Sequence, residues 1–141
     1  MTSSRPLRVS ILVIIVAIGA IVHDSHQQDV TNLPDIEGYR LHCIEASGIT
    51  ESAAKKLQSG VEIAHPDQAT KCYVQCFFQR LALMNKVGVV QKGKLIKFLT
   101  KVMEEDQAKS IVDKCDARRT NPCDTAYDMF ICYRQNKAKL L

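Results

Sequence analysis

Beyond its opening stretch the chain repeats apolar positions at helical spacing, and no segment alternates with period two for long enough to demand a strand. The clearest case is 95–103. Leu95, Ile96, Phe98, Leu99, Val102 and Met103 fall on one arc, while Lys94, Lys97, Thr100, Lys101 and Glu104 fall on the other. Near the C-terminus Ala126, Met129, Phe130 and Tyr133 share one face at i, i+3, i+4 and i+7.

Capping and breaking residues divide the pattern into helices. A first helix is predicted from about Asp35 to Ala46, ended by Gly48, and Thr50 caps a short second helix over 51–58 that Gly60 stops. Pro66 suits the first position of a third helix, which runs through Cys72 and Cys76 to about Met84. The fourth covers 95–103 and the fifth 106–116, with Ile111, Val112 and Cys115 inward. Asn121 and Pro122 form a cap and first-turn pair for a sixth, ending near Lys137. Asp124 near its start and Arg134, Lys137 and Lys139 toward its end suit the helix dipole.

The opening stretch is different. Arg5 and Arg8 precede Ile11 to Val22, twelve residues without a polar side chain, and His23 and Asp24 begin a polar segment. A spanning helix needs about 20 apolar residues, and a core helix would show a polar face. Basic start, short apolar run and small residues near its end describe a secretory signal peptide. It is assigned to 1–22, with the mature domain at 23–141; Ala17 and Gly19 suit a cut after Gly19, and the cleavage window extends to Ser25. The expected location is therefore secreted and extracellular.

The whole chain, at 141 residues and 46% hydrophobic, has the size and composition of one globular domain. Its net charge of +4 falls to +2 once Arg5 and Arg8 are lost, which gives no electrostatic pull toward nucleic acid. Secretion changes the meaning of the six cysteines, Cys43, Cys72, Cys76, Cys115, Cys123 and Cys132. An oxidising route favours three disulfides, and six cysteines permit 15 connectivities. Cys72 and Cys76 stand one helical turn apart, so one helix can be stapled to two neighbours. The remaining cysteines and His23, His26, His42 and His65 make no second metal-binding pair, so no metal and no cofactor is expected.

The framework Cys43-x28-Cys72-x3-Cys76-x38-Cys115-x7-Cys123-x8-Cys132 resembles that of the insect odorant-binding proteins, the pheromone- and general-odorant-binding family. The x3 and x8 intervals are the most specific parts; the x7 interval is a little shorter than the family's. Local words agree: EASGIT at 45–50, KCYVQCFF at 71–78, and Ala126-Tyr127 and Cys132-Tyr133 in the last helix. The resemblance covers essentially the whole mature chain. It implies an all-α, six-helix, disulfide-stapled shell around an apolar cavity, paired Cys43–Cys76, Cys72–Cys123 and Cys115–Cys132. Each bridge is worth about 3–4 kcal/mol in the chain-entropy model. Such staples hold a shell around a centre that gives up packing.

The implied function is a secreted carrier of small hydrophobic molecules, such as odorants, pheromones or fatty-acid-like compounds, delivered through aqueous lymph to a membrane receptor. Burial alone suffices: a guest of ~15 heavy atoms reaches micromolar affinity at ~0.3–0.5 kcal/mol per atom. Periodicity nominates Phe78 and Leu81 of the third helix, Leu95, Phe98 and Leu99 of the fourth, and Ala126, Met129, Phe130 and Tyr133 of the sixth as lining residues. The resemblance also favours Phe78 and Tyr133, and the Tyr133 hydroxyl is a polar handle for an alcohol, aldehyde or ester. Plain core packing is the alternative for each.

Catalysis has no recognisable setting. Secreted phospholipases A2 need a His-Asp pair beside adjacent cysteines, and His23-Asp24 lies at the signal boundary, far from any. Other readings are a carrier or scavenger in gland, saliva or haemolymph, and a disulfide scaffold with a filled core. A monomer or weak homodimer is expected. His42 and His65 are read as solvated surface groups rather than a pH switch. Leu140 and Leu141 end a tail too short to form a further helix in the cavity; it frays or lids the pocket.

Overall fold

The computed structural model describes residues 35–136. The predicted signal segment 1–22, its cleavage window, Lys137, Lys139 and the terminal Leu140 and Leu141 lie outside these residues. The chain forms α1 (Ile36–Ser47), α2 (Glu51–Gln58), α3 (Gln68–Arg80), α4 (Lys92–Leu99), α5 (Glu105–Lys114) and α6 (Pro122–Gln135). There is no strand among the described residues beyond an isolated bridge between Met84 and Val90. The bridges are Cys43–Cys76, Cys72–Cys123 and Cys115–Cys132, the pairing the resemblance implied.

Several helix starts follow local chemistry. The Asp35 carboxylate accepts from the Gly38 amide at 2.9 Å, and Thr50 Oγ1 accepts from Ala53 at 3.2 Å. Asn121 Oδ1 accepts from the Cys123 amide at 2.8 Å, with Pro122 opening α6. Gly48 ends α1 at φ 74°, the left-handed conformation glycine adopts without a Cβ penalty.

Three boundaries depart from the sequence expectation. Pro66 precedes α3 instead of opening it. The cap is Asp67, whose carboxylate accepts from Thr70 at 2.8 Å and satisfies a first-turn amide. The far end of α3 comes at Arg80 rather than Met84. Leu83 donates to the Phe78 carbonyl at 2.8 Å and Ala82 to Gln79 at 3.0 Å, while Ala82 adopts φ 56°. This is a Schellman stop with alanine in the position glycine usually holds. The chain then folds back, Gln91 donating to the Leu83 carbonyl at 2.8 Å and Asn85 to Val89 at 2.9 Å.

The third departure is α4, which starts at Lys92 and ends at Leu99. The next turn tightens through Val102 to Leu99 at 3.0 Å, so the chain can reverse into α5, the helix that packs on α4. Val102 is thereby turned outward, 72% exposed, off the apolar arc that held it in the sequence.

The most extensive packing is α3 on α6, followed by α1 on α3, with α4 against α5. Two disulfides leave α3 in different directions, Cys76 to α1 and Cys72 to α6. The third ties Cys115, at the end of α5, to α6. Helix α3 is thus the central post of the interior.

Candidate functional site

The interior is one apolar cluster drawn from every helix. Phe78, Leu95, Leu99, Ala126, Met129, Phe130 and Tyr133 are all buried in it. Leu81 and Phe98 are half-buried and pack against the same cluster. Leu81 sits at the end of α3 rather than within it. All the residues nominated from periodicity therefore converge.

Others converge that periodicity did not nominate: Leu57 of α2, Tyr73 and Phe77 of α3, Met84 of the fold-back and Tyr127 of α6. Phe77 was legible, since it lies four residues after Tyr73 on a single helical face. Its ring stands 6.0 Å from that of Tyr73 and edge-on to Tyr39 of α1 at 6.4 Å. Met84 was not legible, because its burial follows from the left-handed stop at Ala82.

Two hydroxyls distinguish this cluster from plain hydrocarbon. Tyr73 and Tyr133 are fully buried, and their oxygens have no hydrogen-bond partner among the described residues. Burial pushes the Tyr73 hydroxyl up to about 12, with nearby Arg40 pulling the other way. Burial pushes Tyr133 upward as well, reinforced by the negative charges of Asp116 and Asp113. Both stay neutral hydroxyls at physiological pH. An unpaired hydroxyl in an apolar interior costs about 1–3 kcal/mol unless something else pairs with it.

The walls around the cluster are closed by charge. Lys71 pairs with Asp124 at 3.0 Å beside the Cys72–Cys123 bridge, and Lys92 pairs with Asp116 at 2.9 Å. The Arg134 guanidinium lies 5.5 Å over the Phe130 ring and donates to the Gly60 carbonyl, fastening the α2–α3 connection to α6. Among the described residues Arg40 is the one charged residue that is buried, and it pairs with Glu37 through Nε at 2.8 Å.

None of the surface clefts found among the described residues is lined by a nominated residue. One, of about 280 Å³, lies between Val87–Val90 and Asp116–Arg119. Another, of about 610 Å³, is bordered by His42, Arg80, Lys86 and Lys94 over Cys76 and Met84. His42 and His65 are exposed. Arginine donates only, so the 2.5 Å contact of Arg80 Nη2 with His42 Nε2 makes that nitrogen the acceptor. Among the described residues no cluster of three or more His, Cys, Asp or Glu could hold a metal ion. No helix there is long and apolar enough to cross a membrane.

Comparison with known proteins agrees with this architecture. Odorant-binding protein 10 of Aedes aegypti is 60% identical over 142 residues, covering 100% of both chains. General odorant-binding protein 56a of Drosophila melanogaster is 26% identical over 139 residues, covering 97% of this chain and 95% of its own. Among solved structures, a fatty acid binding protein from the oral disk of the blowfly Phormia regina superposes with a TM-score of 0.62 at 28% identity, covering 74% of this chain and 90% of its own. The PBP/GOBP family model matches residues 25–136, and with six helices and three disulfides in place the chain belongs to the PBP/GOBP family.

Proposed function

We propose that the protein is a secreted carrier that takes small hydrophobic molecules into its apolar interior and moves them through aqueous lymph. The observation that supports this best is the pair of buried, unpaired hydroxyls of Tyr73 and Tyr133 within an apolar cluster. A solid core favours Phe at such places, whereas an interior that receives a guest has a use for an oriented hydroxyl. The guests are odorants, pheromones or fatty-acid-like compounds, held by Phe78, Leu81, Leu95, Phe98, Leu99, Ala126, Met129, Phe130 and Tyr133. Tyr133 is the handle for an alcohol, aldehyde or ester.

Secretion is supported by the basic and apolar pattern of 1–22 and by a cysteine set fully paired among the described residues. Delivery to a membrane receptor and a monomeric or weakly dimeric state complete the reading, and catalysis has no part in it. A non-olfactory role in gland, saliva or haemolymph is a second reading, favoured by likeness to a fatty acid binding protein from the oral disk of a blowfly.

Displacement of an environment-sensitive apolar fluorophore from the oxidised mature protein tests the carrier reading. Saturable binding, with micromolar competition by volatiles or fatty acids, is expected. A folded, thiol-free sample that binds no fluorophore saturably would sink the reading.

A further inference from the structure

We propose that the cleft bordered by His42, Arg80, Lys86 and Lys94 is a head-group site: it holds the carboxylate of a hydrophobic acid while the acid's chain enters the apolar interior past Met84. The proposal rests on the carrier reading and narrows it, naming where a fatty-acid-like guest is anchored.

The cleft, of about 610 Å³, is drawn from four parts of the chain. His42 comes from α1, Arg80 from the last position of α3, Lys86 from the fold-back and Lys94 from the first turn of α4. Each is placed by a bond nearby. The Cys43–Cys76 bridge ties the residue after His42 to the turn before Arg80. Gln79 Nε2 donates to the Asn85 carbonyl at 3.1 Å, which fixes the approach to Lys86. The Gln91 amide donates to the Leu83 carbonyl at 2.8 Å, which fixes the start of α4. The rim therefore stands without a guest to gather it, and a site organised in advance binds at lower entropic cost.

Nothing on the rim answers its charge. No Asp or Glu lines the cleft, and among the described residues Arg80, Lys86 and Lys94 make no ion pair. Arg80 differs from the other described arginines. Arg40, Arg118 and Arg119 meet carboxylates, and Arg134 meets a carbonyl and an aromatic face. Arg80 meets His42 Nε2 at 2.5 Å, a basic side chain that brings no negative charge. A carboxylate placed here faces several cations at once, and its contacts with them are charge-assisted hydrogen bonds of the stronger kind.

The floor decides what the carboxylate carries. Met84 lines the cleft, is 2% exposed and belongs to the apolar core cluster. One unbranched, flexible side chain thus touches both the cationic rim and the interior. An amphiphilic acid uses both sides of it. Its charge stays at the surface, where little solvation is lost, and its chain is buried.

The test is fluorophore displacement at pH 7 with three competitors of one chain length: a medium-chain carboxylic acid, the nearly isosteric methyl ketone and the hydrocarbon. The acid is expected to bind about tenfold tighter than the ketone at about 0.01 M salt, and this preference should narrow at about 1 M, where the Debye length is ~3 Å. Lys86→Gln with Lys94→Gln changes two exposed side chains, so the fold is kept. This pair is expected to remove most of the acid preference and leave ketone and hydrocarbon affinity unchanged. Lys56→Gln with Lys114→Gln removes the same charge from outside the cleft and should leave the acid preference intact. No acid preference in the wild type, equal weakening of acid and ketone in the cleft pair, or an equal loss in the control pair would each overturn the head-group site and leave the carrier standing. Absence of fluorophore binding in the wild type would overturn both.

Discussion

Gly88, at the tip of the fold-back between α3 and α4, rests against Pro122 at the start of α6: a Cβ on the glycine would meet the proline Cβ at 2.5 Å. The glycine also sits at φ 86°. Backbone conformation and close approach therefore both require the absence of a side chain. The same fold-back carries Met84 into the core.

Gly88→Ala is accordingly expected to destabilise the fold by about 2–3 kcal/mol, the sum of left-handed strain and a clash with a rigid ring. Denaturant unfolding of the oxidised protein reads this as a lowered midpoint at unchanged slope. A shift within error would mean that the fold-back is free to move off α6.

Two other positions hold glycine and alanine the wrong way round. Ala82 occupies the left-handed stop of α3 at φ 56°, while Gly93 lies inside α4 with open space where its Cβ would stand. Ala82→Gly relieves strain, and Gly93→Ala removes helix-breaking freedom from the unfolded chain. Each is expected to stabilise by about 0.5–1 kcal/mol, and the two should add, since they act on separate helices. Thermal melts of both single variants and the double check this.

These positions also mark what the sequence conceals. The six helices and the caps Thr50 and Asn121 could be read from spacing and composition, because each is a local signal repeated by several residues, whereas the pairing of the cysteines was implied only by the family resemblance. The end of α3 could not. Leu81, Leu83 and Met84 continue an apolar run, and nothing in an alanine announces a left-handed turn. Val102 fits the apolar arc of α4 by number alone and is exposed because the chain must reverse into α5. Arg40 was hidden for the opposite reason. Charged residues are seldom buried, and although its i,i+3 partner Glu37 lies on the same helix, the burial of Arg40 follows only once α1 packs on α3.

Alkaline pH reaches the buried hydroxyls. The folded value of Tyr73 is raised by burial to about 12, above the ordinary value near 10. A raised value means that the folded state holds its proton more tightly than the unfolded chain. The stability that follows is fully present below about pH 10 and is lost as pH climbs from about 10 toward 12. Tyrosinate absorbance should show a late-titrating fraction that Tyr73→Phe reduces, with a flatter alkaline stability profile in that variant. Titration of every tyrosine at the ordinary value would show the interior to be open to water.

Ala126 separates a lined cavity from a filled core. It is fully buried on the α6 face shared with Met129, Phe130 and Tyr133. In a close-packed core, added methyl groups force strain of about 1–3 kcal/mol. In a shell around guest space they project into that space and take it from the ligand. Ala126→Leu is therefore expected to leave the melting temperature of the empty protein nearly unchanged while weakening hydrocarbon, ketone and acid competitors alike, because volume is lost rather than a polar partner. The ligand-dependent rise in melting temperature should shrink in parallel, since stabilisation by a guest follows its occupancy of the folded state. A variant that melts far lower yet binds with wild-type affinity would place Ala126 in solid packing and move the guest elsewhere in the shell.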